Sequence, residues 1–237
     1  MSSPNVHKVS IMLEELGLGY NFHFVDLPAG EQFEPKFLAI SPLGKAPAII
    51  DSEGPDGVPY SVFESGAILI YLATKYERFL PLEGAAYFDV MKWLMLQKAN
   101  VGPIFGQLTH FTRFAPADNS YSRSRYFTMA GRIYDALDVR LGDSPYLAGP
   151  EYSVADIATY PWVSLYHEKH GMAWADHPHL RAWCDRVASR PAVARADELY
   201  QSRLKEEPTE KPNLPRDGVN RIFGWGRYAR NPGMTPG

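Results

Sequence analysis

Two short segments constrain this chain more than any others: Lys45-Ala46-Pro47-Ala48-Ile49-Ile50 and Phe63-Glu64-Ser65-Gly66-Ala67-Ile68. The first reads as a proline turn feeding an apolar strand. The second reads as a strand end that breaks into a helix opening on an acid and a hydroxyl. Pro47 carries no N–H, so the backbone beside it at Ala46 stays open to pair with something else. A cis Ala46–Pro47 bond would also point that backbone outward. The first turn of a helix leaves N–H groups without intrahelical partners, and these favour an anion. Glu64 beside them offers a seat to a cation. A backbone edge, an anion seat and a carboxylate together suit a small zwitterionic peptide. The blander alternative is a helix start capped by an acid and a hydroxyl, and nothing more.

Patterning places these segments. Val9, Met12, Leu13 and Leu16 share one helical face, which predicts a first helix over Val6–Leu16, capped by Ser3 or Asn5 and stopped by Gly17. Tyr20–Val25 alternates as a strand, Pro28–Phe33 reads as a loop, and Pro35–Ile40 as a short helix. Ala48–Asp51 and Val58–Phe63 form a hairpin across turn-rich residues 51–57, and Ser65–Tyr76 is helical. Beyond Leu82 strand patterns stop. Ala85–Phe114 reads as a long helix interrupted near Gly102-Pro103, where the proline breaks or kinks the ladder. Tyr121–Leu141 is another helix, and Ser153-Val154-Ala155-Asp156 is a capping-box variant opening the next. His179–Ala188 and Ala192–Leu204 supply two more. The order predicts an α/β unit over residues 1–80, an all-helical unit over 85–205, and a tail rich in proline and glycine over 206–237. Within that tail, Arg221 to Tyr228 interleaves aromatics with arginine. It either docks on the protein's own surface, over the active site included, or stays disordered.

Composition removes whole classes of function. With 45% hydrophobic and 22% charged residues, the chain is an ordinary globular protein. A net charge of −3, with no basic excess, argues against nucleic acid as a main partner. Cys184 is the single cysteine, which excludes an internal disulfide framework, fits a reducing compartment, and reads as a buried structural thiol. No signal-peptide pattern opens the chain, and no run approaches the roughly 20 apolar residues that cross a bilayer. The expectation is a soluble, cytoplasmic protein away from membranes. No spacing of His, Cys, Asp and Glu suggests a metal.

Several segments now combine: Ser3-Pro4-Asn5, Glu31-Gln32-Phe33, Ile40-Ser41-Pro42-Leu43-Gly44-Lys45-Ala46-Pro47, Phe63 to Ile68, and Gly102-Pro103-Ile104-Phe105-Gly106-Gln107 followed by His110-Phe111. On these, from Ser3 to about Leu204, the chain resembles the cytosolic glutathione transferases. Within them it is similar to the bacterial Nu class and to the fungal group that includes a yeast nitrogen-regulating prion protein. The resemblance implies a thioredoxin-like α/β first domain, an all-α second domain and a homodimer. Two departures stand out. The family's first loop is usually Thr-Pro-Asn-Gly; Ser3 keeps the hydroxyl, but Val6 adds bulk. The family also begins with a strand inside the sheet, and only Met1-Ser2 precede the loop here. Either the sequence starts late, which the well-formed remainder favours, or the first domain has lost a strand and its neighbours have unpaired backbone.

The resemblance also implies roles. Glutathione would be the co-substrate. Glu64 would pair with its γ-glutamyl ammonium, and Ser65, through hydroxyl and N–H, with the adjacent carboxylate. Ala46, beside Pro47, would pair its backbone with the cysteinyl part; Gln32 and Lys45 would reach the glycyl end, unless they are plain surface side chains. Asn5 and Ser3 would be the catalytic pair that favours the thiolate, the reactive species. One of them could instead cap the first helix, or do both. Lys92 stands where the family has a glutamine donated by the partner subunit. Arg125 matches a family arginine near glutathione, or is an exposed helical arginine. His110 and Phe111 would line a second-substrate pocket, although a lone histidine is often structural. No Tyr or Cys occupies the first loop, so the thiol chemistry would belong to glutathione. The implied activity is glutathione-dependent disulfide reduction, conjugation to electrophiles, or both. The rival is a non-catalytic glutathione-binding or regulatory protein.

Overall fold

Ser3 opens the fold by accepting a hydrogen bond from the Val6 N–H at 3.2 Å, so the cap of the first helix is the serine. These relations come from a computed structural model, which describes residues 3–206 and 216–230. Helix α1 (Pro4–Leu16) carries its proline in the first turn, where the missing N–H is no loss, and ends at Gly17, whose φ of 69° an L side chain would resist. Burial runs round the helix, from His7 through Met12, with Val9, Ile11 and Met12 as its buried apolar side chains. Polar contacts tie the helix to α9 (Pro191–Glu206) and the residue before it: His7 Nε2 lies 2.6 Å from Asp197, and Arg190 grips Glu15 at 2.5 and 2.9 Å.

After α1 comes the first correction. Residues 18–26 are irregular, and the strand expected over Tyr20–Val25 does not form. Alternation qualifies a segment for a sheet, but a strand exists only within a hydrogen-bonded ladder. The described strands, β1 (Ala48–Asp51) and β2 (Tyr60–Phe63), pair antiparallel with each other, Ala48 opposite Phe63 and Asp51 opposite Tyr60. Phe22 and Phe24 are accordingly exposed. A short helix, α2 (Pro35–Leu38), precedes the hairpin, and α3 (Ser65–Tyr76) follows it with the bounds its sequence predicts.

From Gly84 on, the described residues are helices and turns. The break expected at Gly102-Pro103 is resolved on its N-terminal side. Helix α4 (Gly84–Leu96) runs into a π turn over Gln97–Val101, and α5 (Gly102–Arg113) starts anew with Pro103 in its first turn. A proline ring clashes with the carbonyl four residues back, and the widened turn removes that clash. Helices α6 (Ser120–Asp143), α7 (Val154–Tyr166) and α8 (Pro178–Ala188) follow. Every residue of α7 from Val154 to Val163 is buried. Its start is the capping box the sequence suggests. Ser153 and Asp156 cap reciprocally, and Asp156 also accepts from the Leu147 N–H and the Trp183 indole. Residues of α1, α3, α4, α5, α6, α7 and α8 share one apolar cluster.

Part of the expected extended tail is a helix, α10 (Arg216–Phe223). Arg221 donates to the Pro28 and Ala29 carbonyls, and the Phe223 ring lies 4.6 Å from His110 and 5.1 Å from Phe114. For this stretch, docking on the protein's own surface is the outcome; the tail at 207–215 and 231–237 lies outside the described residues.

Candidate active site

The N-terminus of α1 carries Ser3 and Asn5. The capping bond uses an oxygen lone pair of Ser3, so its O–H remains a donor. The Asn5 carboxamide is held from the helical half of the molecule, where Trp162 Nε1 on α7 donates to its Oδ1 at 3.2 Å. That bond leaves the amide N–H2 as the donor end of Asn5. Both residues that carry these donors lie in the first turn or cap of α1, at the positive end of the helix, an arrangement that favours an anion.

A second cluster forms where β2 turns into α3. Glu64 has φ of 68°, a conformation that non-glycine residues adopt rarely. Ser65 is buried at the first position of α3. Lys98, from the π turn, donates to Glu64 Oε2 at 2.9 Å and to Ser65 Oγ at 3.2 Å. This hydrogen bond holds the Glu64 carboxyl below its ordinary range, with the charges of Lys98, Lys45 and Lys8 adding to it against the opposing effect of partial burial. Lys8 is buried on α1 and donates to Gln97 Oε1 at 2.8 Å. Burial, then the Lys98 charge, pushes its ammonium well below the usual lysine range.

The loop ahead of β1 is folded tightly. The Ala46–Pro47 peptide is cis. Ser41 Oγ donates to the Lys45 carbonyl at 2.7 Å and accepts from the Lys45 N–H at 3.2 Å. Gly44 has φ of 61°, and a Cβ there would stand 2.7 Å from the Gln32 carbonyl oxygen, so glycine lets this loop close on Gln32. Gln32 is buried, and its Oε1 has no hydrogen-bond partner among the described residues. Lys45 is exposed, but close enough for its charge to act on Glu64.

The remaining candidates have contacts of their own. Lys92 is exposed on α4 and pairs with Asp89 at 2.6 Å. Arg125 is exposed on α6 beside a cleft of about 290 Å³ shared with Tyr121, Ser124 and Arg132. Phe111 stacks on Tyr126 at 5.4 Å, and His110, whose imidazole burial pushes down, faces Phe223. Cys184 is buried, and burial pushes its thiol well up. No group of three or more potential metal ligands occurs among the described residues, and no described helix is long and apolar enough to cross a membrane. Sequence reasoning missed Trp162 and Lys98. Both are donors that only folding brings to Asn5 and Glu64.

Known proteins supply context for this geometry. Residues 2–75 match the family described as Glutathione S-transferase, N-terminal domain, and residues 122–191 match Glutathione S-transferase, C-terminal domain. The chain is 42% identical to the disulfide-bond oxidoreductase YfcG of Escherichia coli (strain K12) over 209 residues, 88% of this chain and 96% of that protein. It is similar in structure to a glutathione transferase family member from Pseudomonas fluorescens with two glutathione bound (TM-score 0.78, 40% identity, 83% of this chain and 89% of that one). It is likewise similar to a glutathione transferase from Pseudomonas putida with one glutathione disulfide bound per subunit (TM-score 0.78, 37% identity, 83% and 87%).

Proposed function

This chain belongs to the glutathione S-transferase family, and on that premise we propose that it is an enzyme that uses glutathione to reduce disulfides, with conjugation to electrophiles as a companion reaction. One observation carries the reading to a mechanism: the protein's only thiol, Cys184, is buried and held protonated, so the attacking sulfur must come from the ligand. The Asn5 amide and the Ser3 hydroxyl, at the head of α1, donate to that sulfur and stabilise it as a thiolate. Glu64 takes the γ-glutamyl ammonium, and Ser65 the neighbouring carboxylate. The Ala46 backbone, set by Pro47, pairs with the cysteinyl unit, and Gln32 and Lys45 receive the glycyl end. Arg125 and, across a homodimer, Lys92 of the other subunit add positive charge; His110 and Phe111 face the second substrate. We place the protein in the Nu-like group and in the cytoplasm.

The thiolate attacks one sulfur of the substrate disulfide. A mixed disulfide forms, and the displaced thiolate takes a proton from solvent. A second glutathione attacks the glutathione sulfur of that intermediate, releasing the second substrate thiol and glutathione disulfide. Two glutathione molecules are oxidised for each disulfide reduced. The names of the similar proteins, an oxidoreductase of disulfide bonds and transferases holding two glutathiones or glutathione disulfide, support this cycle.

Turnover of a small dialkyl disulfide with glutathione, coupled to glutathione reductase, tests the proposal. Asn5→Ala is expected to lower kcat/KM by about tenfold to a hundredfold while glutathione binding holds within about twofold. Unchanged turnover removes Asn5 from the mechanism. Tight glutathione binding with no turnover of any disulfide, peroxide or aryl halide would establish the non-catalytic alternative.

A further inference from the structure

The seat offered to a ligand's ammonium already has an ammonium in it. Lys98 Nζ lies 2.9 Å from Glu64 Oε2 and 3.2 Å from Ser65 Oγ, the two atoms that the glutathione reading gives to the γ-glutamyl amine and carboxylate. The lysine is fitted into this place. Its Cδ and Cγ pass 3.0 and 3.1 Å from where a Cβ on Gly66 would stand, so the absence of a side chain at 66 opens the passage for the stem. Its backbone sits in the π turn, beside Gln97, which is itself anchored by Lys8. Three lysines, 98, 45 and 8, act on this one carboxylate. An incoming ammonium therefore meets the Lys98 ammonium already in contact with Glu64, and must displace it to gain its ion pair. An incoming carboxylate at Ser65 instead meets Lys98 as a ready counterion.

We propose that Lys98 is the internal occupant of the cation seat, so that this site selects acidic thiols by their carboxylates and gains little from an α-ammonium. The proposal rests on the glutathione reading of the same site. Its ligand class is wider than glutathione: thiol peptides or thiol acids with a carboxylate at each end, aminated or not.

Calorimetric titration of the full chain with glutathione and with deaminoglutathione, in which hydrogen replaces the amino group, tests this. The wild type is expected to bind the two within about threefold. In Lys98→Met, glutathione should bind more tightly than to wild type and exceed its deamino analogue by about tenfold or more, the ratio expected of a charge-assisted hydrogen bond. Lys98→Gln, which keeps a polar end, serves if the methionine variant misfolds. A wild type that prefers glutathione by tenfold overturns the proposal, as does an unchanged ratio in both variants. Lys98→Met should bind the deamino analogue more weakly, because its carboxylate loses a counterion; weaker binding of glutathione as well overturns the proposal, because its ammonium would then gain nothing from the vacated seat. If neither ligand binds any of the folded proteins, the glutathione reading falls first and this inference with it.

Discussion

The β1–β2 hairpin and helix α7 are both short and apolar, yet they meet opposite fates. The hairpin leaves Ile50 63% and Phe63 45% exposed, whereas Ile157 and Ala158 on α7 are fully buried. α1 explains how the first part of the chain remains folded despite so thin a sheet. It packs on α7 and α9 as well as on α3. The lesson extends to the site. Asn5 sits in the α/β part, but the hydrogen bond that orients it comes from α7. The α/β half, which carries Asn5, takes the tether of that residue from the helical half.

The largest test of this contrast is a truncation on α7. Ile157→Ala should cost about 2–5 kcal/mol in urea unfolding, and should loosen α1 with it, visible as faster amide exchange at Val9 and Ile11. Unfolding of the hairpin alone would contradict the borrowed core. Next is acidity. Burial and neighbouring histidine charges hold His167 and His170 to about 4, whereas unfolded imidazoles titrate near 6.5. Between those values the unfolded chain binds more protons, so stability is complete above about pH 7 and falls, on the order of 3 kcal/mol for each histidine, toward pH 4. Replacing both histidines with asparagine should flatten that slope; a slope unchanged in the double variant would assign it elsewhere. Trp162→Phe removes the indole N–H and should cost about 1 kcal/mol of stability. The sharper readout is the pKa of bound glutathione's thiol, which should rise once Asn5 loses its tether; an unmoved pKa would show that Asn5 needs no help from α7. Smallest is Ile50→Ala, expected to change stability by under about 0.5 kcal/mol. A loss of 2 kcal/mol there would mean that the exposed hairpin face is covered in solution.

Legibility followed the range of the interactions involved. The bounds of α3 and the stop of α1 at Gly17 could be read because caps and left-handed glycines act within a few residues. The Ser153–Asp156 box was legible for the same reason. Tyr20–Val25 misled because alternation is local while a ladder needs a neighbour. Ser3, Asn5, Glu64, Ser65 and the Lys45–Pro47 turn could be singled out as chemistry-bearing segments. Lys98 lies 34 positions from Glu64 and Trp162 lies 157 from Asn5, so no window along the chain contains either pair.

By itself, then, the amino-acid order determined where most helices begin and end, that the late part of the chain is helical, and that one buried cysteine leaves the protein without a thiol of its own to offer. Tertiary structure decided which alternating segment became a strand, which lysine reached Glu64, and which ring steadied Asn5. The reason is physical. Caps, turns and amphipathic faces are set by neighbours a few residues away, whereas ion pairs, ladders and buried contacts exist only once distant parts of the chain have paid the entropy of meeting.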